Sequence, residues 1–507
     1  MLSRRLILGS TTAVTFAELL GAEDATAQAP RRGGKLTIAQ HYPNFAQGQS
    51  TQGQHPYFWI DVSTRSVWNC LTWVDETYVV RPELATAWES DAEARVWEFT
   101  LRDDVVFHDG RPMTVDDVVT SMTFHARGGV GLMGRGTVAR VEAVGSNKVR
   151  FHLGAPNAEF PFILSEFRAV VLPKAEPDRI GYDGIGTGPF RIASVDTRRG
   201  ARLERHERYY DTGRPHVDEM EILLVNAQAG INGFRSGQFD VALNIDPAAA
   251  DQYRSVPGAD ITQSVAGDLT VIVLPKVEGS PFNDVRVRRA FARAIDRVAI
   301  NRIVFRDPRG WVGNDSHVSG VDANFLPGPA RDVPLARRLL AEAGFPNGLR
   351  LPTIYVTTGF PEEPRIWPII AESVREAGIQ VTFEERPFDG FFPWVAGPPL
   401  RPYRALVGAR NTGISLLRFT PENQEHGLWR GEATERYVAL YRQALGTVDP
   451  DARRALYHEM QRLLAEEVPG IVAYGRRNLL AHQRHVHGLQ AHSQHWCVRY
   501  EGIWRSA

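Results

Sequence analysis

Trp97, Phe99 and Leu101 alternate with Glu98, Thr100 and Arg102, the period of a strand with one buried face. Val105, Val106 and Phe107 extend that pairing surface, and Asp109-Gly110 supplies a turn. Thr114, with Asp117 three residues on, predicts a helix start with an acidic first turn. Before this stretch, Arg81 opens what reads as a helical turn, residues 65–73 read as a helix, and 35–39 (KLTIA) as a strand. A second β pair is predicted over 138–153, turning at Gly145-Ser146-Asn147.

Past Pro281 the period lengthens to 3.6. Asn283 and Asp284 can cap a helix whose apolar face is Val287, Phe291, Ala294, Ile295 and Val298. Asp332, Pro334 and Gly344 bracket another helix. A strand over 353–358, a helix over 366–377 closed by Gly378, and a strand over 379–384 form a β-α-β unit. Such a unit implies parallel pairing and an α/β class. Asp449-Pro450 opens a last helix, 451–467, with Leu456, Met460, Leu463 and Leu464 inward.

Composition narrows the picture. The 507 residues suggest roughly three folding units. Net charge is −1, which provides no field for nucleic acid or anionic membrane. Arg286, Arg288, Arg289, Arg293 and Arg297 accordingly read as a solvated face. At the amino terminus, Arg4-Arg5 precede a modest apolar run softened by Gly9, Thr11, Thr12 and Thr15, the pattern of a Tat-type export signal. Glu18 is unusual inside such a run, and an ordinary Sec signal would lead to the same compartment. Cleavage after Ala25-Thr26-Ala27 gives a signal over 1–27 and a mature chain from Gln28, with the acidic and basic counts then equal. No cysteine precedes Cys70, so no lipid is expected at the junction, and no later stretch reaches 18 uninterrupted apolar residues. The expected destination is the periplasm, as a free monomer. Cys70 and Cys497 are the two cysteines; a disulfide and two isolated buried thiols both fit.

Catalytic patterns are missing. The glycine-rich loop 128–136 (GGVGLMGRG) lacks the Lys-Ser/Thr ending of a phosphate cradle and reads as a mobile surface loop. His458-Glu459 lacks a second histidine, and no G-x-S-x-G elbow occurs. Asp103-Asp104, Asp116-Asp117 and Glu362-Glu363 read as capping and solvating groups. With no nucleophile beside a credible base, the chain does not read as an enzyme; a periplasmic hydrolase is the rival from that class. His482, His485, His487, His492 and His495 crowd the carboxyl terminus. His485 and His487, two apart on a strand, would make a two-nitrogen metal clip or remain ordinary hydrogen-bonded histidines.

Several blocks carry a resemblance. The segment 81–122 (RPELATAWESDAEARVWEFTLRDDVVFHDGRPMTVDDVVTSM) is followed by 186–192 (GTGPFRI), 203–222 (LERHERYYDTGRPHVDEMEI) and 234–242 (FRSGQFDVA). Then come 281–303 (PFNDVRVRRAFARAIDRVAINRI), 336–348 (ARRLLAEAGFPNG) and 372–384 (ESVREAGIQVTFE). In this order they resemble the family 5 extracellular solute-binding proteins, the periplasmic peptide- and nickel-binding receptors of ABC importers. The resemblance implies a two-lobed periplasmic-binding-protein fold of cluster C type. Lobe I would be 28–58, 186–267 and 481–507, with an inserted subdomain over 59–185, and lobe II would be 268–480. Hinge crossings are implied near 266–269 and 480–484. It further implies no cofactor, capture of a peptide-like or carboxylate-bearing small solute between the lobes, and an ABC permease with its ATPase as partner. A nickel- or metal-chelate receptor of the same family is the alternative.

The resemblance also points to residues. Ala409, Arg410, Asn411, Thr412 and Gly413 stand where peptide-binding relatives carry an aspartate that pairs with the ligand's amine, and no acidic residue lies between Asp389 and Glu422. Arg365, thirteen residues before Gly378, matches an arginine that holds the ligand carboxylate in dipeptide-binding relatives. It falls at the strand-to-helix junction where open α/β sheets bind ligands. Arg365, Arg410, Asn411 and Thr412 are therefore the candidate ligand-binding residues.

Overall fold

The strand Lys35–Gln40 sits near the middle of a seven-stranded sheet. Across that sheet the order is Ala259–Gln263, Leu479–Gln483, Val241–Leu243, Lys35–Gln40, Glu219–Leu224, Gly200–Arg205 and Phe190–Asp196. Lys35–Gln40 pairs in parallel with both neighbours, and the outer strands pair antiparallel. Leu36, Ile38, Val241 and Ile222 are fully buried, as the central strands of a sheet covered on both faces require. The computed structural model describes residues 29–40, 65–127, 133, 137–175, 183–196, 199–265, 267–307, 311–357, 362–387, 390–408, 410–421, 431–494 and 497–506. The export segment 1–27 and all but Met133 of the glycine-rich loop lie outside them.

A second sheet has the order Phe383–Glu385, Ile354–Val356, Tyr403–Val407, Leu269–Val273 and Gly470–Gly475. Ile354–Val356 and Phe383–Glu385 pair in parallel around the helix Glu363–Arg375, so the β-α-β expectation holds. The predicted strand 379–384 is split, however: Ile379–Gln380 pairs with Leu349–Arg350 instead. A third sheet is the antiparallel meander Ala85–Ser90, Val96–Leu101, Lys148–Leu153 and Val138–Val144. Phe99 and Phe151 meet edge to face at 5.6 Å on its buried side. Helix Val115–Arg127 covers the meander, and its start is a capping box: Thr114 N and Oγ1 donate to Asp117 Oδ2 at 2.8 and 2.6 Å. Among the described residues no helix is long and apolar enough to cross a membrane.

Four local readings are corrected by tertiary contacts. Residues 65–73 are not helical, because their carbonyls serve other segments: Gly188 N donates to Val67 O, Phe190 N to Ser66 O, and Val171 N to Asn69 O, each at 2.9 Å. The fit needs bare backbone, since a Cβ at Gly186 would lie 2.0 Å from Val67 O. Arg81 belongs to a short strand, Val80–Pro82, rather than a helical turn. Val105 and Phe107 form a tight loop around Gly110 (φ +87°) rather than extending the sheet. The helix from Val285 stops at Ala294, where Ile295 turns extended and Asp296 caps a new helix, Arg297–Ile303. Val298 is thereby turned 54% into solvent instead of joining the apolar face.

Two electrostatic readings also change. Arg288 and Arg297 are buried rather than solvated. Arg288 donates to the carbonyls of Phe282, Glu467 and Val468, and Arg297 pairs with Asp315 at 2.7 Å. Glu362 and Glu363, read as solvated helix-start acids, are fully buried. Glu362 pairs with Arg476 at 2.9 Å, and Glu363 pairs with Arg404. Cys70 and Cys497 form no disulfide, and both thiols are buried.

The chain passes between the two large sheets twice, once between Gln263 and Leu269 and once between Gly475 and Leu479, the second earlier than the 480–484 expected. The two passages are sewn together. Arg476 N donates to Asp268 O at 2.7 Å, Ser264 N to Asn478 O at 2.9 Å, and Asn478 N to Ser264 Oγ at 2.8 Å. Arg476 also reaches Asn478 Oδ1 at 2.8 Å.

Removing one partner of such a buried pair strands the other charge. Glu362→Ala is expected to cost about 3–5 kcal/mol of unfolding free energy. The Glu362→Leu, Arg476→Leu pair should recover much of it, as read by urea denaturation. Acid should weaken the fold through histidines. Burial lowers His108 to about 3 and His125 to about 4, against about 6.5 when unfolded. The unfolded chain binds more protons below pH 6.5, so stability falls as pH drops, by up to about 1.4 kcal/mol per pH unit per histidine. Unfolding midpoints between pH 7 and pH 5 check the slope, and His125→Gln should flatten it.

Candidate functional site

Five segments distant in sequence converge where the two chain passages meet the inserted meander. Tyr78, in a left-handed conformation (φ 67°), buries its phenol beside the Ser319 and Ser493 hydroxyls. Burial raises the Tyr78 pKa, and the nearby carboxylates of Asp268 and Asp322 push the same way. Asp322 is itself buried, and that burial raises its pKa. It accepts from Asn324 N and Thr412 N, each at 2.8 Å, and from Asn324 Nδ2 at 3.0 Å. These partners are neutral, whereas Glu362, Glu363 and Asp315 each face an arginine. His317 is buried, both ring nitrogens lack hydrogen-bond partners among the described residues, and burial lowers it to about 3, which favours the neutral imidazole.

Beside this cluster lies a cavity of about 680 Å³, in the size range of small-molecule sites. Its walls include Trp73 with the Arg499 guanidinium 4.6 Å over the ring, and Tyr210 with Arg102 at 4.4 Å. Glu76 and His492 also line it; the Glu76 carbonyl accepts from Ser493 Oγ at 2.9 Å, which joins the cavity wall to the Tyr78 cluster. Cys497 borders it as a buried thiol, its pKa raised by burial and opposed by Arg65 and Arg410. The cavity lining comes from residues 73–83, Arg102 beside the meander, the 210–214 connection between two strands of the first sheet, and the carboxyl-terminal segment 488–502.

The four residues singled out from sequence do not form one cluster. Thr412 touches Asp322 through its amide. Arg410 stands within electrostatic reach of Cys497 at the cavity. Asn411 caps the helix Thr412–Leu417 with Oδ1, while its Nδ2 donates to Glu159 of the meander domain. Arg365 donates to Asp246, beyond strand Val241–Leu243 of the other sheet, at 2.7 Å. The acid absent from the sequence around Thr412 is present in space, supplied by Asp322 and Glu159. No local signal could have found either, since Asp322 lies 90 positions away and Glu159 252 from Asn411.

The histidine-rich terminus is occupied with structure. His485 Nε2 meets Asp240 Oδ1 at 2.7 Å, and the His487 ring stacks on Trp504 at 4.1 Å. Among the described residues no three ligating side chains gather around a metal position. His495 lies outside those residues.

The family model of bacterial extracellular solute-binding proteins, family 5, matches residues 79–426. The chain belongs to this family. It is 25% identical over 459 residues to heme-binding protein A of Haemophilus influenzae, covering 77% of this chain and 78% of that protein. It is equally similar, 25% over 458 residues, to di/tripeptide-binding protein 2 of Pseudomonas aeruginosa, with 81% and 84% covered. In fold it matches NikA from Brucella suis, solved with Fe(III)-EDTA. The TM-score there is 0.78 at 18% identity, over 93% of this chain and all of the other. The two-lobed architecture of periplasmic binding proteins therefore applies to this member of family 5.

In that architecture Arg365–Asp246 is a tie between lobes, with side chains 36% and 23% exposed. A pair this open is worth roughly 0.2–1 kcal/mol and is screened by salt. A double-mutant cycle on Arg365→Ala and Asp246→Ala should return a coupling in that range by thermal denaturation, and the coupling should fade in molar salt.

Proposed function

We propose that this protein is the periplasmic receptor of an ABC importer for a small, polar, peptide-like solute, held between its lobes and delivered to the permease. The carrying observation is the clasp between lobes. Arg365–Asp246, Arg306–Asp251 and the Glu159 contacts all join residues on opposite sides of the two chain passages. Such a clasp is what a receptor that works by closure needs. Ligand contacts to both lobes shift the population toward the closed form, and the permease reads the closed shape.

The ligand-facing groups on this reading are Tyr78, Ser319, Asp322 and Thr412, with Arg410 within electrostatic reach of Cys497 in the cavity wall. Arg365 and Asn411, bonded across the lobes, stabilise closure and meet the solute indirectly. A zwitterion suits such a site: among the described residues Asp322 is a buried carboxyl bonded to neutral groups, and Arg410 adds positive charge near the cavity wall. The metal-chelate alternative has less support, since His485 and His487 are engaged elsewhere. Export through the twin-arginine route and action as a monomer complete the proposal.

The test starts with mass spectrometry of the solute released when the purified protein is unfolded. That solute, titrated by calorimetry, should bind with one site per chain and reduce the radius of gyration in X-ray scattering. Arg410→Ala should weaken it roughly 10- to 100-fold, the loss of a hydrogen bond to a charged group. Absence of any solute-induced compaction, with di- and tripeptides included among the ligands tried, would overturn the reading.

A further inference from the structure

Glu159 immediately precedes the short helix Phe160–Ile163, and its carboxylate leaves its own domain entirely. Oε1 accepts from Tyr457 Oη at 2.7 Å and faces Arg453 Nε at 3.2 Å, both on helix Pro450–Glu467 of the second lobe. Oε2 accepts from Asn411 Nδ2. The carboxylate is largely buried, at 13% exposure, so these bonds form in a region of weak screening.

The backbone opposite is shaped to admit it. A Cβ at Gly413 would lie 2.5 Å from Glu159 Cγ and 2.7 Å from Tyr457 Oη. The next residue, Ile414, is 6% exposed and packs in the hydrophobic core of the meander domain. Ala158 N donates to Leu445 O at 2.8 Å, which extends the seam along the second lobe. A backbone bond, a three-way carboxylate and an apolar plug therefore act at one line of contact. Among the described residues, every partner of the Glu159 carboxylate belongs to the lobe that must separate from it when the cleft opens.

The same contacts hold the segment assigned to the ligand. Asn411 is fixed from behind by Glu159 while its Oδ1 accepts from Ile414 N, and the neighbouring Thr412 N is fixed by Asp322. We propose that Glu159 is a closure latch, a positioning residue through which the inserted domain holds the strap at 410–412 in its ligand-receiving geometry. This inference rests on the assignment of that strap to the ligand, argued above.

Spin labels at Asn147→Cys, on the exposed hairpin turn, and Glu435→Cys, on helix Glu432–Leu445, report the separation of the inserted domain from the second lobe. The native thiols are buried and do not compete. Glu159→Ala should move the distance distribution to longer values, both in protein as purified and after stripping with urea. Glu159→Gln, whose single carbonyl oxygen replaces only one of the two acceptors used by Tyr457 and Asn411 and which loses the charge facing Arg453, should fall between. Gly413→Ala should lengthen the distance in the wild-type background and add little to Glu159→Ala, because both break one contact. Co-purified solute followed by native mass spectrometry after dilution should leave Glu159→Ala roughly 10- to 100-fold faster than wild type. Matching thermal melts show that the variants fold. A wild-type distance distribution in Glu159→Ala would overturn the latch, and so would a shifted distribution with unchanged solute release. If no solute, co-purified or added, compacts the wild-type protein, the receptor reading fails while the distances still decide the latch.

Discussion

Everything else in this molecule hangs on the place where two stretches of chain run side by side between the large sheets. Those stretches carry the covalent continuity of both lobes, and they are tied by backbone bonds of Arg476 to Asp268 and of Ser264 to Asn478. Beneath them the Arg476 guanidinium is buried against Glu362. A single connection would leave the lobes free to twist, whereas two connections bonded to each other restrict relative motion to bending about one line. Burying a charge pair at that line is costly unless its geometry is satisfied, and here the guanidinium is further held by Asn478. The junction is stiff, and motion is displaced to the surfaces that face each other across the cleft.

The contacts across the cleft are of a different kind. Arg365–Asp246 is partly exposed and Arg306–Asp251 more so, and pairs like these exchange readily with water. They bias an equilibrium rather than fix a state, which suits a receptor that must open again. The Glu159 seam is more enclosed, and it is the one that combines charge, backbone bonding and apolar packing.

Much of the fold was legible because its signals are local. The alternation at Trp97, Phe99 and Leu101, the Thr114–Asp117 capping box, and the bracket of Asp332, Pro334 and Gly344 each place the deciding interaction within a few residues. Asp332 indeed accepts from Leu335 N at 2.8 Å. The misread elements have distant causes. Residues 65–73 have helix-compatible composition, but their carbonyls are claimed by the 171 and 186–190 segments. Glu362-Glu363 and Arg288 look like surface charges until their partners arrive from 404, 476 and 467. The site shows the same limit. Arg365 stands at the start of the helix of its β-α-β unit, where the sequence places it, but its partner Asp246 is invisible to any pattern, and the acids near Thr412 come from two other loops.

Ile414 carries one more consequence. This side chain belongs in sequence to the second lobe and in packing to the core of the inserted domain, so each opening of the cleft must expose apolar surface on both sides. Exposure of apolar surface raises heat capacity, and the attraction that reverses it weakens on cooling. Opening is therefore temperature-dependent in a way that salt bridges alone would not produce. Solute capture, in turn, carries a negative heat-capacity change larger than the solute's own apolar area accounts for.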